Sequence, residues 1–188
     1  MGLSYMNLNN FPIATSDEFK NWKTINDTIM GGSSQAICKS GSNGLCLEGN
    51  LIEENGGFIS CRSPLIYPGL DLSSYEGIQI DVDGQGRTLK FAVTCGDTLT
   101  RFSKTFSGGL KWVAQVPTKV IGTSFVRIPF DEFEPSIRAK PIMLPAKIGS
   151  NSIVQFQLLY SKFGISGKLN SEFRSGPFSI LLRSISAF

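Results

Sequence analysis

Ile78-Gln79-Ile80-Asp81-Val82-Asp83 alternates apolar and polar side chains without a break. That is the pattern of a strand with one face on a core and the other in water, because successive Cβ atoms point to opposite sides. Gly84-Gln85-Gly86 then supplies a turn, and Leu89-Lys90-Phe91-Ala92-Val93 resumes the alternation, so the segment predicts strand, hairpin turn, strand. Runs of the same kind lie outward on both sides, at residues 45–51, 57–62, 102–106, 113–116, 125–128, 153–159 and 178–185. Helical signals are confined to single turns at Ser16-Asp17-Glu18-Phe19 and Asp131-Glu132-Phe133. Short strands separated by Gly-rich connections predict an all-β sandwich, mostly antiparallel, formed by one domain over residues 1–188.

Composition removes several function classes. The 188 residues contain no histidine, so neither a Ser-His-Asp nor a Cys-His nucleophile system can form. Cys38, Cys46, Cys61 and Cys95 are too irregularly spaced for a zinc ribbon or a redox CxxC, and read as free, mostly buried thiols of a reducing compartment. Asp81-Val82-Asp83-Gly84 begins like a calcium loop, but the closing carboxylate position holds Ala92. Glu53-Glu54 and Asp131-Glu132 are sequence neighbours that a strand would point to opposite faces, which leaves no catalytic acid pair. No metal, cofactor or catalytic residue is therefore expected. There is no apolar run near the roughly 20 residues of a membrane span and no basic-then-apolar leader, which suggests a cytoplasmic protein. Residues 1–100 carry 6 basic and 11 acidic side chains, and residues 101–188 carry 12 and 4. A basic half could meet RNA, an acidic protein or an anionic membrane. Interleaved strands would instead neutralise it in space, and the lysines are scattered without stacking aromatics, which argues against nucleic acid.

The stretch Trp22-Lys23-Thr24-Ile25-Asn26-Asp27-Thr28-Ile29-Met30-Gly31-Gly32-Ser33-Ser34 fits neither a strand nor a helix. Gly31-Gly32 permits positive φ and close backbone approach, and Asn26-Asp27 can bond the local backbone as turns do. It reads either as a shaped site loop or as a connector with Trp22 and Met30 plugging the end of the core. A second such segment is Glu53-Glu54-Asn55-Gly56-Gly57-Phe58, a strong hairpin signal that leads into a strand ending at Arg62. Arg62 could clamp a carboxylate or phosphate, or pair internally with Asp27 or Asp71. Two long connections, 134–152 and 160–176, mix basic residues with Phe163, Leu169 and Phe173; these could form an adhesive patch, though a loop folded back with its apolar side chains inward is favoured.

Taken with Asp71-Leu72-Ser73, Gly77-Ile78, Gly84 to Arg87, Trp112, Ile128-Pro129-Phe130, Phe133 and Gly176-Pro177-Phe178, these segments resemble the complex I intermediate-associated protein family, from about Phe19 to Phe188. Arg101-Phe102 and Ala139 depart from that pattern. The resemblance implies a galactose-binding-like jelly roll, and a stand-alone bacterial or cyanobacterial member without transit peptide or nucleotide-binding domain. It also implies a non-catalytic, chaperone-like assembly factor for a respiratory NADH-dehydrogenase-type or photosynthetic membrane complex, cytoplasmic or peripheral to a thylakoid or inner membrane. Its partners would be subunits or intermediates of that electron-transfer complex.

The candidate partner-binding residues are Trp22, Asn26, Asp27, Met30, Gly31, Gly32, Asn55, Arg62 and Arg87, since Trp, Met and Arg dominate protein hot spots. The alternative is a carbohydrate or other small-ligand module, with Trp22 as an aromatic platform and Asn26, Asp27 and Arg62 as hydrogen-bonding groups. An enzyme ranks third and an RNA-associated factor last, and no DNA partner is expected.

Overall fold

The structure is a computed structural model that describes residues 10–96 and 109–188. Among the described residues thirteen strands follow in chain order: β1 (Phe11–Ala14), β2 (Lys23–Asn26), β3 (Gln35–Gly41), β4 (Gly44–Leu51), β5 (Phe58–Arg62), β6 (Gly77–Asp83) and β7 (Thr88–Cys95). After these come β8 (Leu110–Pro117), β9 (Ser124–Pro129), β10 (Glu134–Ile137), β11 (Lys140–Pro141), β12 (Ile153–Ser161) and β13 (Gly176–Ala187). They form two antiparallel sheets, one in the order β3-β4-β13-β6-β9 and the other β11-β10-β8-β7-β12-β5-β2. Within the first sheet β13 pairs with β4 along its first half and with β1 at its end. This is the all-β sandwich that the strand pattern predicts, with the jelly-roll architecture that the resemblance implies. The expected strand at 102–106 lies outside the described residues.

The alternation in β6 is realised as read: Ile78, Ile80 and Val82 are fully buried, whereas Gln79, Asp81 and Asp83 are half-exposed. The opposing sheet contributes Leu89, Phe91 and Val93 from β7 and Phe156, Leu158 and Tyr160 from β12. Phe91 and Phe156 stack with centroids 5.7 Å apart. Because β6 and β13 come from opposite halves of the chain, Asp83 meets Arg183 at 2.6 Å, so the charge asymmetry partly cancels in space.

Two turn readings are corrected. Gly84-Gln85-Gly86 and Asn55-Gly56-Gly57 do not close hairpins; each carries the chain from one sheet to the other. Gln85, Gly86, Asn55 and Gly57 all have positive φ. The residue types thus specified a left-handed backbone, which serves a sheet crossing as well as a hairpin. The 134–152 connection contains the β10–β11 hairpin, and the turns at 16–19 and 131–133 are short 3-10 turns (Glu18–Asn21 and Phe130–Glu132). The 160–176 connection is split: Phe173 packs 5.6 Å from Tyr160, while Leu169 is exposed and Phe163 partly so. None of the four cysteines is in a disulfide; Cys61 and Cys95 are buried, and Cys38 and Cys46 half-buried.

Candidate functional site

Asp27 is the centre of the rim where β2 ends. It opens a 3-10 turn, Asp27–Met30, and is fully buried although charged. The amide of Ser34 donates to Oδ1 at 2.9 Å, the Ser34 hydroxyl to Oδ2 at 2.7 Å, and the amide of Gly57 to Oδ2 at 2.8 Å. Ser34 Oγ also accepts from the amide of Ile52 at 2.9 Å, which extends the knot to the end of β4. Burial pushes the Asp27 carboxyl upward, but donation from Ser34, Gly57 and Phe58 outweighs it and holds the group below its ordinary value.

The glycines are specified by this carboxylate. A Cβ on Gly32 would stand 2.3 Å from Asp27 Cγ, and one on Gly56 would stand 2.3 Å from Oδ2. Gly31 has a different reason: at φ +88° it ends the turn in the left-handed region, its amide donating to Thr28 and that of Gly32 to Asp27. Asn26 turns its amide onto Ala36 O at 3.1 Å, fixing β3 beside the turn. Pinned in this way, the turn holds Ile29 and Met30 outward, 72% and 73% exposed.

The structure separates the candidate residues into three groups. Asn26, Asp27, Met30, Gly31, Gly32 and Asn55 gather at one rim, at the C-terminal end of β2 and the N-terminal end of β5. Arg87 lies at the same end of the sheet, beyond β12, but it is buried. Its guanidinium sits 5.6 Å over the Tyr160 ring and donates from Nη1 to Gln85 Oε1, while its buried Nε meets no acceptor among the described residues. Trp22 and Arg62 fall elsewhere.

Trp22 is buried edge-on against Phe19 at 5.3 Å, and Trp112 is buried as well, so neither offers an aromatic platform. The reading of Trp22 as an exposed contact is thereby corrected, as is the plug reading of Met30. Arg62 pairs in register with Lys23, at the far end of β2 from Asn26, and among the described residues it forms no ion pair with Asp27 or Asp71. It belongs to the outward face of the seven-stranded sheet. That face also holds a cavity of about 150 Å³ lined by Lys90, Lys111, Leu159, Glu134, Ser136 and Ile165, among others.

Sequence reasoning passed over Ser34, whose hydroxyl completes the Asp27 knot, and Ile29, the second exposed apolar side chain. A signal existed for both, since Ile29-Met30 is an apolar pair inside a turn, followed by Ser33-Ser34. Among the described residues no group of His, Cys, Asp and Glu could hold a metal ion, and no helix is long and apolar enough to cross a membrane.

The described residues form a two-sheet β-sandwich with a rim built from loops and pinned by a buried carboxylate. The sequence matches the family model described as complex I intermediate-associated protein 30 across residues 11–182, so the chain belongs to that family. No curated protein matches it in sequence. Among solved structures it is similar to the family 11 carbohydrate-binding module from Clostridium thermocellum in complex with a β-1,3-1,4-mixed-linked tetrasaccharide. The TM-score is 0.63 at 14% identity, over 95% of this chain and 95% of that one. The same module of the cellulosomal cellulase Lic26A-Cel5E gives a TM-score of 0.60 at 14% identity, over 96% and 94%. An agarase, AgWH50C, gives 0.58 at 7% identity over 95% of this chain and 24% of its own. At such identities these likenesses establish the shared fold alone.

Proposed function

We propose that the chain is a non-catalytic assembly factor that holds a subunit or intermediate of an NADH-dehydrogenase-type or photosynthetic membrane complex through the Asp27 rim. The observation that carries this reading is the exposed Ile29-Met30 pair on a turn whose neighbouring carboxylate is fully buried and triply bonded. Apolar side chains held out by a rigid support lose little entropy on docking, and Met adapts to varied surfaces. Membership of the complex I intermediate-associated protein 30 family supports a partner of the NADH-dehydrogenase type. The test is affinity capture of the tagged protein from membranes of its native cells, beside a double variant Ile29→Asp and Met30→Asp. Subunits of an electron-transfer complex should co-purify with the parent chain and be lost from the variant; recovery of none with the parent would end the proposal.

A second reading, a small-ligand or carbohydrate module, keeps one supporting observation in the cavity on the outward face of the seven-stranded sheet. It does not use Trp22.

A further inference from the structure

The cavity has a floor unlike the outside of a β-sandwich. Lys90 stands on the outward face of β7, between Gln115 of β8 and Leu159 of β12, and is only 7% exposed. Among the described residues no carboxylate or hydrogen-bond acceptor is paired with it. Lys111, two positions from Val113 on the same face of β8, donates to Gln157 Oε1. Arg62 lies opposite that glutamine on β5. The one acidic side chain in the lining, Glu134, is exposed and forms no ion pair with either lysine among the described residues. One wall is the β10–β11 turn, where Arg138 and Ala139 both take positive φ (51° and 62°), a conformation that costs non-glycine residues energy.

A largely buried lysine without a counter-charge is costly, and a Met or Leu would fill the Lys90 slot at less cost to stability. Lys90 and the half-buried Lys111 both line this cavity, with Arg62 nearby on the same face, and together they are complementary to negative charge. Among the described lining residues there is no aromatic ring on which a neutral sugar could stack. We infer that this cavity binds the oxyanion of a small organic acid or phosphate ester, with Lys90 and Lys111 supplying the charge. Burial draws both amines down, each to about 8, with repulsion from Arg62 adding to the effect at Lys111; a bound anion would restore the charged form. The inference rests on the small-ligand reading and gives the ligand its charge class; it does not depend on the rim.

The test is calorimetric titration of the full chain with inorganic phosphate, glucuronate and glucose, for the parent protein and for Lys90→Met and Lys111→Met. One or both anions should saturate the site, with glucose giving no heat, and each substitution should weaken anion binding at least roughly tenfold. The anion that binds tells phosphate from carboxylate. Lys90→Met should keep or raise the melting temperature, so that loss of binding is not loss of fold, and Lys111→Met provides an independent reading. No saturable binding of either anion, or variants that bind as tightly as the parent, would overturn the inference. Glucose binding as well as glucuronate would also overturn it, while leaving the small-ligand reading standing; no binding by any of the three would end both.

Discussion

The amide of Gly57 donates to the buried carboxylate of Asp27 at 2.8 Å across thirty residues of sequence, joining the entry to β5 to the exit from β2. This bond, with the two from Ser34, converts two flexible glycine-rich segments into one rigid corner. If the corner is what shapes the rim, its loss must be felt globally. Asp27→Ala leaves the buried Ser34 and Gly57 amides without an acceptor and should cost about 2–4 kcal/mol in urea unfolding. A cost within about 0.5 kcal/mol, typical of surface sites, would show that the knot is incidental.

The glycines facing Asp27 should tolerate no side chain. Gly56→Ala and Gly32→Ala each place a Cβ against a carboxylate that three hydrogen bonds prevent from swinging away, with an expected cost of about 1–3 kcal/mol. Gly41→Ala, where a Cβ meets nothing within 4 Å and φ is ordinary, is the control and should be near neutral. Equal effects at all three positions would contradict the packing described.

Stability should fall in acid through Asp27. The folded protein holds this carboxyl below the ordinary 3.8, so between the two values the unfolded chain binds more protons and stability rises with pH. The contribution is complete above pH 3.8 and disappears as pH drops through the folded value. Urea midpoints measured from pH 5 downward should decline more steeply in the parent than in Asp27→Asn, and parallel curves would refute the assignment.

The Arg183–Asp83 pair is geometrically good but partly solvated, its side chains 41% and 26% exposed. Arg183→Ala should therefore cost about 1 kcal/mol or less despite the 2.6 Å contact. A double-mutant cycle with Asp83→Ala that returned a coupling well beyond this would mean the pair is effectively desolvated.

The strands were legible where one face meets water, as in β6, because alternation encodes that condition directly. β2 was not, since Lys23-Thr24-Ile25-Asn26 is a four-residue edge strand set into a turn-like context. Asn26, Asp27 and Gly31-Gly32 could be read as a shaped loop, because left-handed and close-packed positions demand particular residue types. Trp22 and Arg62 could not be placed. Even one short strand spans about 3.3 Å per residue, and this put both at the far end of β2 from the turn. Lys90 looked solvated in an alternating strand; only the tertiary fold shows β10, the 138–139 turn and residues 164–165 walling that face.

The most direct test of the central claim places a photo-crosslinking amino acid at Met30 in the native cell, with the same probe at Phe125 as control. Phe125 is 65% exposed on β9, in the other sheet. Crosslinks from position 30, and not from 125, to a subunit of a membrane electron-transfer complex are the predicted result. No crosslink from position 30, or the same products from both positions, would contradict the account.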